Sequence, residues 1–124
     1  MGEFNLLLQL QAILGKEGYV RLCQELGGTR IYVSHEFRDD HEVVQTVGRA
    51  QADKLSRAMA PATIRVPLAR RERALFYRAQ GMSNGKIARL LGITENGVEK
   101  LFGREQDLPE RPGSAKHDRQ LNLF

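Results

Sequence analysis

The stretch SNGKIARLLGITENGVEKLF, residues 83–102, constrains this chain more than any other. Ser83 and Thr94 are each placed to accept from the free amides that open a helix. Gly92 falls where the turn between two helices needs a left-handed residue. With Asn84 as the first position of a 20-residue pattern, Ala88 is the small residue at the helix crossing, where a larger side chain would push the helices apart. Ile87, Leu91, Ile93, Val98 and Leu101 are then the expected buried positions, and together these requirements predict a helix-turn-helix. Ahead of it, Leu75, Phe76 and Ala79 predict the apolar stripe of a helix that begins near Leu68 and is closed by Gly81.

Composition enters through the placement of charge. The 124 residues carry a net charge of only +4, but residues 62–103 hold eight basic and three acidic side chains. Residues 1–61 hold seven and eight, and residues 104–124 hold four of each. Arg70, Arg71, Arg73, Arg78, Lys86, Arg89 and Lys100 are therefore expected where the phosphates of double-stranded DNA would lie. On the second helix of the motif, Thr94, Glu95, Asn96, Glu99 and Lys100 are expected to face outward. Asn96 suits an adenine edge, Lys100 a guanine or a phosphate, and the two glutamates cytosine amines. The two acids weaken binding to DNA in general and imply either selective base contacts or light engagement. The competing interpretation is a helix-turn-helix that packs only against protein. Gly97 has no evident partner in the motif.

The first half predicts helices and short strands. Phe4, Leu7, Leu8, Leu10, Ile13 and Leu14 give one amphipathic helix and Tyr19, Val20, Leu22, Cys23 and Leu26 a second, separated by Gly15 and ended by Gly27 and Gly28. Thr29–Val33 predicts a strand. His41–Ala60 predicts a single helix capped by Asp40 and broken by Pro61, and Ala62–Val66 a second strand ended by Pro67. At an offset of 33, Leu22, Leu26, Ile31 and Val33 fall on Leu55, Met59, Ile64 and Val66, the pattern of an internal repeat or of common helix–strand grammar. Short strands with open edges must pair, within the chain or across a dimer.

GGTRIYV (Gly27–Val33), IRVP (Ile64–Pro67) and the helix-turn-helix after them resemble the Mor transcription activator family of bacteriophages. The resemblance spans residues 15–103. It implies a symmetric homodimer built through an N-terminal helix–strand region, with a helix-turn-helix from each subunit in the major groove and two operator half-sites one helical turn, or a multiple of it, apart. The second strand is a departure from the family's simple form and leaves open which strand would build the dimer. RNA polymerase is the further partner such a regulator would contact.

Past Phe102 the periodicity stops, and Pro109, Pro112, Gly113 and Ser114 predict a flexible linker. The last five residues, Gln120, Leu121, Asn122, Leu123 and Phe124, resemble the bacterial β sliding-clamp binding motif. Leu123 and Phe124 would be the apolar anchors, Leu121 a secondary one and Gln120 the hydrogen-bonding side chain. The alternative is a tail that covers the protein's own core. Residues 104–119 would form a tether of roughly 20–25 Å, so two tails of a dimer would engage a ring-shaped clamp with avidity.

The expected architecture is mainly α with short β-strands: a helix–strand dimerisation region over 1–67, a helix-turn-helix domain over 68–103, and a tail over 104–124. A single cysteine, Cys23, excludes an intramolecular disulfide and is expected in the core. No P-loop, HExxH or paired metal ligands point to an enzyme, a metal or another cofactor. His35, His41 and His117 are scattered, and Glu36, Asp39, Asp40 and Glu42 fit a solvated loop and helix start. No segment predicts a membrane span or a signal peptide, so a bacterial cytoplasmic location is expected. The leading expectation is a phage-type DNA-binding transcription regulator. A replication or recombination accessory protein, acting mainly through the clamp, is the alternative.

Overall fold

The computed structural model describes residues 3–103; the tail residues, Gln120–Phe124 included, lie outside them. The described elements follow in the order α1 (Glu3–Leu26), β1 (Arg30–Val33), α2 (Glu42–Val47), α3 (Arg49–Met59), β2 (Ala62–Arg65), α4 (Arg70–Ala79), α5 (Asn84–Leu91) and α6 (Glu95–Gly103). Among the described residues the protein is mainly α with two short strands. It divides into two compact units, Met1–Ala69 and a second that starts at Arg70. None of the described helices is long and apolar enough to cross a membrane.

In the first unit, α1 breaks at Gly15 (φ 75°, ψ 169°), as the spacing predicts. Leu10 and Leu14 before the break, with Tyr19, Leu22, Cys23 and Leu26 after it, are buried in one core with residues of β1, α2, α3 and β2. Leu8 does not share that face and is 50% exposed. Gly27 ends the helix for a reason of space: a Cβ there would come within 2.3 Å of the Cys23 carbonyl oxygen and 3.0 Å of that of Pro67. The chain is thereby free to turn sharply into β1.

The predicted single helix over 41–60 is instead two. Gly48, at φ 91°, separates α2 from α3, a backbone conformation that disfavours side-chain-bearing residues. The cap is also reassigned. His41 Nδ1, not Asp40, accepts from the Val43 N–H at 3.0 Å, while Asp40 Oδ1 accepts from Arg38 Nε at 3.3 Å. The His41 ring packs on Phe37, with centroids 4.7 Å apart. The loop between β1 and α2 is tied to α3 by Arg49, which donates to the Phe37 carbonyl (3.0 Å), to Asp53 (3.2 Å) and to Asp39. Asp39, then Asp53, push the Arg49 pKa up.

β1 and β2 pair antiparallel within the chain, Arg30 opposite Arg65, Ile31 opposite Ile64, Tyr32 opposite Thr63 and Val33 opposite Ala62. The register gives the offset of 33 a physical meaning. Ile31 and Ile64, equivalent positions of the two halves, face each other, so a local two-fold axis passes between them. One face of this ribbon is core, with Ile31, Val33, Ile64 and Val66 buried.

Candidate nucleic-acid interface

Helices α5 and α6 are set up as the spacing predicts. Ser83 Oγ accepts from the Lys86 N–H (3.2 Å) and Thr94 Oγ1 from the Gly97 N–H (3.0 Å), each occupying an amide that the first turn of a helix leaves unpaired. Between them Gly92 is left-handed (φ 72°, ψ 34°), and the N–H groups of Gly92 and Ile93 both donate to the Ala88 carbonyl, at 2.8 and 3.0 Å. Ile87, Ala88, Leu91 and Val98 are buried, and Ile93 is half-buried. Leu101, expected in the core, is half-buried. Phe102 takes the buried place instead, with the Arg78 guanidinium 4.3 Å from its ring centroid. Gly97 also gains a role: a Cβ there would stand 3.3 Å from Ile93 Cδ1 and 3.4 Å from the capping Thr94 oxygen.

Helix α4 presents a different face to its unit from the one predicted. Leu75 and Phe76 are half-buried and Ala79 is exposed, whereas Arg73, Ala74 and Tyr77 are buried. This corrects the role expected of Arg73. Its side chain is only 5% exposed, its Nε donates to the Tyr77 hydroxyl (3.2 Å) and its Nη2 to the Leu90 carbonyl (2.9 Å). The guanidinium also lies 5.8 Å from the Tyr77 ring centroid. Arg73 therefore braces α4 against α5 and is not a phosphate contact. Arg78 is engaged as well, donating to Asn84 Oδ1. A buried charge needs several such partners, and Arg73 has them.

Arg70, Arg71, Lys86 and Arg89 are exposed, as are Thr94, Glu95, Asn96, Glu99 and Lys100 on or just before α6. One of them, Glu95, reaches back toward α5. Glu95 Oε2 lies 3.4 Å from the point where a Cβ on Gly85 would stand, and Ser83 Oγ is 4.0 Å from the same point. The carboxylate thus lies over the first turn of α5.

A second exposed basic face belongs to the first unit. The solvent side of the ribbon carries Arg30, Tyr32, Thr63 and Arg65, all exposed, with Tyr32 at 56%. Arg30 and Arg65 stand directly opposite each other, an unfavourable like-charge pair in the free protein. Arg65 Nη1 reaches the Gly28 carbonyl at 3.4 Å. The signal for it in the sequence is the alternation of RIYV, whose outward positions are Arg30 and Tyr32. Among the described residues, no three His, Cys, Asp or Glu side chains gather as a metal site.

Comparison of the chain with protein families, curated proteins and solved structures finds no match.

Proposed function

We propose that this chain is a sequence-specific double-stranded DNA-binding transcription regulator of phage or prophage origin, similar to the Mor activators. It acts as a homodimer, and its terminal Gln120–Phe124 segment docks on the bacterial β sliding clamp. The observation that carries the reading is the exposure of Thr94, Asn96, Glu99 and Lys100 on or beside a helix anchored from its other face by Val98 and Phe102. A helix packed from behind, with Asn96, Glu99 and Lys100 exposed in front and Thr94 capping its start, suits insertion into a major groove. The exposed Arg70, Arg71, Lys86 and Arg89 supply the charge for backbone phosphates. β1 and β2 already pair inside one chain, so dimerisation is a separate part of the reading, measured by sedimentation with and without a two-half-site duplex.

A nuclease-protection assay on the DNA upstream of the protein's own gene tests the reading. A discrete footprint is expected, and Asn96→Ala should relax its sequence preference by about 1–3 kcal/mol at one base pair. Uniform protection of all sequences overturns specific regulation. The clamp partner is tested by capture on purified host clamp, which Leu123→Ala with Phe124→Ala should abolish. Uniform DNA binding combined with tail-dependent clamp capture would instead favour the replication or recombination accessory reading.

A further inference from the structure

Glu95 is an exposed side chain of α6 that reaches back over α5: its carboxylate lies 3.4 Å from the point where a Cβ on Gly85, in the first turn of α5, would stand. That turn carries amides without intrahelical partners and the positive end of the α5 dipole. Lys86, exposed in the same turn, adds a full positive charge. On a DNA-reading helix-turn-helix these are the groups a backbone phosphate would approach.

We infer that Glu95 is a selectivity element and not a base reader: lying over the first turn of α5, its carboxylate opposes the approach of a backbone phosphate there and disfavours DNA that offers phosphates without matching bases. This rests on the DNA-binding reading above. Glu99 provides the internal contrast. It carries the same charge on the same helix, one turn further along, and is exposed; it is not among the nearest neighbours of the Gly85 Cβ position, as Glu95 is. Base reading in the motif then falls to Asn96, Glu99 and Lys100, while Glu95 sets how strongly the protein holds DNA in general.

The test uses the full chain and two probes: a random-sequence duplex and the duplex that the wild type enriches from a randomised pool. Glu95→Gln keeps the side chain's size and removes its charge. It should tighten binding to the random duplex roughly two- to fivefold, the range for one charge at a helix terminus, and steepen the salt dependence. Affinity for the enriched duplex should change less, so the ratio between the two probes falls. Glu99→Gln should leave the random-duplex affinity closer to wild type. The inference is overturned if Glu95→Gln leaves random-duplex binding unchanged and loses affinity for the enriched duplex at a single base position, which is the signature of a base reader. It is also overturned if Glu99→Gln matches Glu95→Gln on both probes, because net charge alone then accounts for the effect. If the wild type binds neither probe in a salt-dependent way, the DNA-binding reading fails first, and this inference falls with it. Circular dichroism of both variants confirms that the helices persist.

Discussion

Arg71 and Arg73 lie two positions apart and have opposite surroundings. Arg71 is exposed, and Arg73 is buried with the Tyr77 hydroxyl and the Leu90 carbonyl as acceptors. Removing a charged partner from buried acceptors costs about 1.5–3 kcal/mol per bond. Arg73→Met is therefore expected to lower the unfolding free energy by about 2–4 kcal/mol, read by urea titration. At temperatures where the variant is folded, its DNA salt dependence should match wild type. Arg71→Ala should instead weaken binding on every sequence and reduce the salt slope by about one. Periodicity alone does not separate the two residues. Arg73, Ala74 and Tyr77 share a helix face, but two of them carry polar groups, so hydrophobicity assigns the buried stripe to Leu75 and Phe76. The polar tips of Arg73 and Tyr77 satisfy each other, which makes burial of that face possible.

The elements that were legible are those whose ends are dictated by a single residue's chemistry. Ser83, Gly92 and Thr94 fix both helices of the motif through caps and a left-handed turn, and all three sit as their residue types require. Gly92→Ala should cost about 1–2 kcal/mol, because an L side chain at positive φ is strained. The measurement is the thermal midpoint of the full chain, with Ser83→Ala, expected to cost about 1 kcal/mol, as the milder reference. The division at Gly48 was not legible. A glycine inside an amphipathic pattern is compatible with a continuous helix, and only the backbone geometry reveals that its φ is positive. The capping role of His41 was hidden for a related reason, since Asp40 beside it is the more usual cap. At the other end of the motif, Phe102 and not Leu101 is buried: it lies one turn beyond Val98 on the same face, with the planar Arg78 guanidinium against its ring.

On the scale of the whole molecule, charge is unevenly distributed. The chain's net excess is concentrated in residues 62–103, and residues 104–124 contribute none, with four basic and four acidic side chains. A form ending at Gly103 should therefore bind linear DNA with an unchanged salt slope between about 50 and 200 mM, where each neutralised phosphate contributes about 0.9. Fluorescence anisotropy measures the slope, and the same form should lose capture by the clamp. A flatter slope in the shortened form would assign phosphate contacts to the tail.

The register of the ribbon has one further consequence. Since Ile31 and Ile64 are equivalent positions placed face to face, each strand meets a near copy of itself, and the pairing carries little information about which polypeptide supplies the second strand. In the proposed homodimer the same ladder would be available to strands from two chains. Such reciprocal exchange is a low-cost route to a symmetric pair. Protein concentration, more than any change of sequence, would then decide whether the ribbon is completed at home or abroad.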